Sequence, residues 1–123
     1  MYELAVEADF SAAHNLREYQ GKCERLHGHN WRVLVTLRST KLNRLGMVMD
    51  FHHARLLIDE VLGRLDHDYL NEVKPFDKVN PTTENIARVL YEELGRKLPK
   101  GVKVGKVTVW ESSRCGASYS RDG

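Results

Sequence analysis

The chain predicts an α+β domain in the order ββααββ, with a four-stranded antiparallel sheet and two helices on one face. Three observations carry that expectation. Residues 2–10 and 27–38 alternate with a period of two, as half-buried strands do. Residues 51–65 and 82–98 place apolar side chains at helical spacing. Beyond Gly101 the period of two returns, over Val102 to Glu111 and Ala117 to Arg121.

In the first strand, Tyr2, Leu4, Val6, Ala8 and Phe10 alternate with Glu3, Ala5, Glu7 and Asp9. Carried on through Ser11-Ala12-Ala13, the alternation puts His14 on the face of Phe10. Asn15 to Glu24 is polar and contains Gly21, so it reads as a loop. The second strand places His27, His29, Trp31, Val33, Val35 and Leu37 on one face. Ser39 to Gly46 is a turn region, and the apolar Met47-Val48-Met49 leads to Asp50, a helix N-cap.

Ala54, Leu57, Ile58, Val61, Leu62 and Leu65 form the stripe of the first helix. Asp66 to Asn71 follows it directly, and Pro75 to Pro81 is a loop. Thr82 or Thr83 caps the second helix, with Glu84 favoured in its first turn by the macrodipole. Its stripe is Ile86, Val89, Leu90, Leu94 and Leu98; Arg96, Lys97, Pro99 and Gly101 are stop signals. A four-stranded sheet leaves unpaired edges over 2–10 and 102–111, which predicts association through strand edges.

The 123 residues suit one domain spanning 1–123. A net charge of +2, from 19 interspersed basic and 17 acidic residues, argues against a nucleic-acid partner but leaves room for an anionic small molecule. Residues 1–15 show no signal-peptide pattern, and no apolar run nears the roughly 20 residues needed to cross a bilayer. The two cysteines make no secreted framework, so a cytoplasmic chain with reduced thiols is expected.

The chemistry concentrates in Cys23-Glu24-Arg25-Leu26-His27-Gly28-His29. Residues i and i+2 of a strand project to one face about 7 Å apart, so His27 and His29 can reach one ion. His14 supplies a third imidazole from a neighbouring strand. Three histidines with one open position are the pattern of a catalytic zinc site, and neutral imidazoles suit Zn2+ best among common metals. Cys23, between Lys22 and Arg25 and near the cation, has the setting of a lowered thiol pKa and reads as nucleophile or base. Cys115 reads as structural and His52-His53 as helix surface.

Asp66-His67 follows the first helix and makes a Cys-His-Asp relay with Cys23 credible. Glu111 shares its face with Val107 and Val109, and a carboxylate continuing an apolar row needs a partner. A ligand's amidine-like edge would supply one, bidentately. Thr82, Thr83 and Glu84 could line the same pocket, although a helix cap alone explains them.

These residues resemble the 6-pyruvoyltetrahydropterin synthase family, and more closely its 6-carboxytetrahydropterin synthase branch. The resemblance lies in FSAAH (10–14), C-x3-HGHN (23–30), GMVMDF (46–51), LDHDYLN (65–71), PTTENIA (81–87) and WES (110–112). It covers essentially the whole chain, and the spacing from Cys23 to His27 is like that of the carboxy-forming branch. Trp31 and His52-His53 are local variations.

The resemblance implies zinc on His14, His27 and His29, Cys23 as the proton-abstracting base, and Asp66 with His67 as the relay. It implies Glu111 as anchor of the pterin ring, with Thr82, Thr83 and Glu84 at that end. It further implies the tunnelling fold, closing into an oligomeric barrel, most often a homohexamer (a dimer of trimers) with active sites between subunits. The implied reaction takes 7,8-dihydroneopterin triphosphate to 6-carboxy-5,6,7,8-tetrahydropterin, acetaldehyde and triphosphate, toward queuosine-type nucleosides. Two rivals stand beside it. One is the pyruvoyl-forming elimination on the same substrate; the other is a structural zinc module without turnover, in which Cys23 would be a fourth ligand.

Overall fold

The computed structural model describes residues 1–21 and 24–121. Its elements are β1 (Tyr2–His14), β2 (His27–Ser39), α1 (Phe51–Gly63), β3 (Asp68–Tyr69), α2 (Thr83–Gly95), β4 (Lys103–Trp110) and β5 (Gly116–Tyr119). The sheet runs β3-β1-β2-β4-β5. α1 packs on β1, while α2 packs on β4 and β5.

Parity organises the core. Val6, Phe10 and Ala12 of β1, Trp31 to Leu37 at odd positions of β2, and Val104, Val107 and Val109 of β4 are buried beneath the helices. The helices contribute Ala54, Ile58, Val61 and Leu62, and Ile86, Ala87, Val89, Leu90 and Leu94. A bulge opposite Thr36 and Leu37 takes up Gly105, so that Val104 and Val107 both stay on the inner face. Both caps form as the sequence predicts: Asp50 accepts from the N–H of His52 at 2.8 Å, and Thr82 from that of Asn85 at 3.1 Å. The first helix stops at Gly63, two residues short of the predicted end.

The expected four antiparallel strands are corrected to a five-stranded mixed sheet. Asp68 and Tyr69 pair in parallel with Ala12 and Ala13. Backbone groups of Ser11 make that junction: its N–H donates to Asp66 Oδ1 at 2.8 Å, and its carbonyl accepts from the N–H of His67 at 2.5 Å. A two-residue strand carries no periodic signal, so only the tertiary contact with β1 defines it.

The β4–β5 hairpin closes through the N–H of Glu111, which donates to the Cys115 carbonyl at 3.0 Å. Cys115 is free and exposed, in a turn rather than a core. Next to it, a Cβ on Gly116 would lie 2.6 Å from Trp110 Cδ2 and 2.9 Å from the Val109 carbonyl oxygen. Neither a rigid indole nor a strand backbone yields easily. Gly116→Ala is therefore expected to lower the unfolding free energy by about 1–3 kcal/mol in a urea titration. Gly63→Ala meets open space at the end of α1 and should leave stability unchanged or slightly raised.

Candidate active site

The β1–β2 register sets His14 opposite His27, and Ala12 opposite His29. With the side-chain period of two, all three imidazoles share the inner face, beyond the end of the apolar core. Glu111, one residue past β4, has the same parity and reaches them from the other side of β2. His14 Nε2 lies 3.1 Å from His27 Nε2 and 3.3 Å from Glu111 Oε1. His29 Nε2 lies 3.2 Å from the same carboxylate oxygen. One donor atom from each of the four residues falls within 4.8 Å of every other.

Backbone carbonyls orient two of the rings. His14 Nδ1 donates to the Pro81 carbonyl at 2.9 Å, and His27 Nδ1 to that of Arg25 at 2.8 Å. A carbonyl can only accept, so each Nδ1 carries a hydrogen, and in the neutral ring each Nε2 then keeps a lone pair. Two lone pairs facing each other at 3.1 Å repel unless a cation lies between them. His29 Nε2 is buried and, despite its approach to Glu111, makes no hydrogen bond among the described residues. Burial holds the His29 pKa below its usual value against the opposing pull of Glu111, which keeps the ring neutral.

These residues fit a divalent cation. Zn–N distances near 2.0–2.1 Å place tetrahedral ligands about 3.3–3.4 Å apart, close to the separations here. The structural-module reading wanted Cys23 as fourth ligand. Cys23 lies outside the described residues, and among those described Glu111 offers the fourth donor instead.

The remaining candidates surround this cluster. Pro81, which holds His14, precedes the cap residue Thr82, so the N-terminus of α2 abuts the histidines. Thr82 and Thr83 are half-buried and Glu84 is exposed. Glu24 pairs with Leu16 at both backbone and side chain, at 2.8 and 3.1 Å.

Asp66 and His67 sit at the β1 edge. His67 Nδ1 is 3.0 Å from Asp66 Oδ2, and the Ser11 N–H holds the Asp66 carboxyl below the usual range. His67 has a φ of 61°, uncommon outside glycine, and its ring faces solvent. A cleft of about 500 Å³ joins it to Ser11, Ala13, Asn30 and His29.

Sequence reasoning missed the braces of the loop after β1. Asn15 and Asn71 exchange hydrogen bonds at 3.0 and 2.8 Å, and Arg17 and Asn80 at 2.8 and 3.2 Å. Asn71 stands inside a motif the sequence reading quoted; the others give no local signal.

The sequence matches the family model of 6-pyruvoyl tetrahydropterin synthase over residues 3–122. The chain belongs to this family. It is 36% identical to the 6-carboxy-5,6,7,8-tetrahydropterin synthase of Synechocystis, covering 97% of this chain and 93% of that one. It is also 36% identical to the dihydroneopterin monophosphate aldolase of Pyrococcus furiosus, over 92% of each chain. Among solved structures, the 6-pyruvoyl tetrahydropterin synthase of Caenorhabditis elegans superposes with a TM-score of 0.85 at 29% identity, covering 98% of this chain and 96% of that one. No helix among the described residues is long and apolar enough to cross a membrane.

His27→Ala is expected to abolish stoichiometric metal, since two imidazoles no longer close the site; one full equivalent by elemental analysis would overturn the three-histidine assignment. Acid should act on the metal-free protein as well. Unfolded His29 takes up a proton below about 6.5 while the folded ring resists to lower pH. Stability therefore declines as pH falls from 6.5 through the folded value. His29→Ala should flatten that part of the stability–pH curve.

Proposed function

We propose that the chain is a zinc-dependent lyase that converts 7,8-dihydroneopterin triphosphate and one water to 6-carboxy-5,6,7,8-tetrahydropterin, acetaldehyde and triphosphate, toward 7-deazapurine (queuosine-type) nucleosides. The observation that carries this reading is the convergence of three imidazoles and the Glu111 carboxylate in a chain of this family. The Synechocystis relative points to the carboxy-forming reaction.

His14, His27 and His29 would hold the Zn2+, which when bound supplies Lewis-acid polarisation of the substrate's side-chain hydroxyls. Cys23 removes a carbon-bound proton, its thiolate favoured by neighbouring positive charge. His67, oriented by Asp66 and exposed to the cleft, carries protons to and from the opposite side of the substrate. Glu111 pairs with the 2-amino and N3 edge of the pterin ring, with Thr82, Thr83 and Glu84 at the same end.

We propose further that the chain works as a homohexamer, a dimer of trimers, with each pocket shared between subunits. β1 supports this reading, because only Ala12 and Ala13 have a strand partner on the side away from β2. Among the described residues, the outward-facing backbone groups of residues 2–10 have no strand partner on that side and are left for another chain. A monomer in analytical ultracentrifugation at working concentration would remove the shared pocket.

A second reading is aldol-type cleavage of a pterin monophosphate, favoured by the Pyrococcus furiosus relative at equal identity. Mass spectrometry of products from the triphosphate and monophosphate substrates separates the readings. Carboxytetrahydropterin with acetaldehyde is expected. A pyruvoyl product, or turnover of the monophosphate alone, would overturn the carboxy-forming assignment.

Cys23→Ala should retain one zinc per chain and lose about 10²–10⁴-fold in kcat, as removal of a general base does. Zinc lost together with the thiol would make Cys23 a ligand. Glu111→Ala should weaken pterin binding by about 1–3 kcal/mol, the cost of buried ring donors left unpaired. Its zinc affinity should change far less; loss of the ion would reassign Glu111 as the fourth ligand.

A further inference from the structure

Among the three histidines, His29 stands apart in how its ring is held. His14 and His27 are each fixed by a hydrogen bond from Nδ1 to a backbone carbonyl. No hydrogen bond among the described residues fixes either ring nitrogen of His29, and its Nε2 is buried. Something else must set the angle at which that nitrogen meets its neighbours.

Trp31 is the side chain placed to do so. It follows His29 by two residues on the same face of β2 and is fully buried. Its indole meets the His29 ring edge-on at 5.2 Å and 78°, and the His14 ring at 4.9 Å and 86°. The indole is itself held on two further sides. Its N–H donates to the Ala12 carbonyl at 3.1 Å, and it stacks on Phe10 with centroids 5.8 Å apart and planes 6° from parallel. The indole therefore presents a fixed surface to one ligand on β1 and another on β2.

We infer that Trp31 is a positioning residue of the metal centre, whose indole holds the His14 and His29 rings at the angles that bring their Nε2 atoms together. The inference rests on the reading of His14, His27 and His29 as metal ligands. His14 has a second constraint in the Pro81 carbonyl, whereas His29 has the ring contacts and only the approach of Glu111 Oε1 at 3.2 Å, which makes no hydrogen bond. Loss of the indole should thus release His29 most, His14 less and His27 least. Residues that orient a metal's ligands typically contribute about 10–100-fold to its affinity.

The test compares Trp31→Phe and Trp31→Leu with the unaltered chain, using Co2+ as the probe and Zn2+ in competition. Trp31→Phe keeps an aromatic ring over Phe10 but lacks the N–H and the second ring, so it carries the test if Trp31→Leu fails to fold. Leu90→Ala, in the core of α2 away from the histidines, controls for a general loss of stability. Both Trp31 variants should bind Co2+ at least tenfold more weakly and show an altered visible spectrum, while Leu90→Ala binds normally. In the metal-free proteins, side-chain NMR should show the His29 ring averaging between rotamers in the Trp31 variants, with the Nδ1 hydrogen of His27 still bonded. Affinities within a factor of two of the unaltered chain, or an unchanged His29 ring, would overturn the inference. If the unaltered chain binds no Co2+, the metal-ligand reading fails, and the ring measurement still decides what Trp31 holds.

Discussion

The pairing of β1 with β2 is the constraint on which the site depends. The strands run beside each other from Tyr2–Ser39 to His14–His27, and that single register sets which side chains share a face. A slip of one residue would turn either strand's histidines to the opposite face of the sheet. The apolar rows prevent it, because the same slip would expose Trp31, Val33, Val35 and Leu37. Core burial thus fixes the face on which the three histidines lie, before any interaction at their rings.

Beyond the last apolar pair the row continues as imidazole, and the energetics change character. Phe10 and Trp31 are satisfied by packing, but nitrogen atoms in the same row need partners. The Nδ1 atoms find carbonyls on segments outside the sheet, Pro81 before α2 and Arg25 before β2. That leaves the Nε2 atoms directed inward and close together. Four donor atoms gathered in this way are poorly satisfied by one another and well satisfied by a cation. Burial of His29, which disfavours its protonated form, acts in the same direction.

Much of this was legible in the sequence, because the decisive features are periodic. Alternation through Phe10 predicts the face of His14, and Val107-Val109-Glu111 predicts that of Glu111. Asp50 and Thr82 announce both helix starts through the chemistry of their side chains. What escaped is long-range and short in sequence. β3 has two residues and exists because Asp66 and His67 bond the backbone of Ser11, 55 residues earlier in the case of the carboxylate. The partner of Glu111 escaped as well: parity required one and suggested a ligand edge, yet the structure places the carboxylate beside two imidazoles. The spacing of a motif tells which atoms can converge; it does not tell which contact they make before a ligand arrives.

The remaining question is how His67 could act on a substrate held at the histidines. The cleft beside His67 is lined by Ser11, Ala13 and Asn30, of the parity opposite to His14, and also by Ala12 and His29, which share its face. Within one chain, then, the cleft beside the Asp66–His67 pair at the β1 edge takes in His29 but neither His14 nor His27. The same edge carries the unpaired backbone of β1, where a second copy would dock. Docking there would set a neighbour's residues beside this edge and let one pocket draw its acid–base pair and its metal from different subunits. An exposed His67 held at a φ of 61° by Ser11 is a side chain presented outward, where the proposed assembly would bring it a neighbour's substrate.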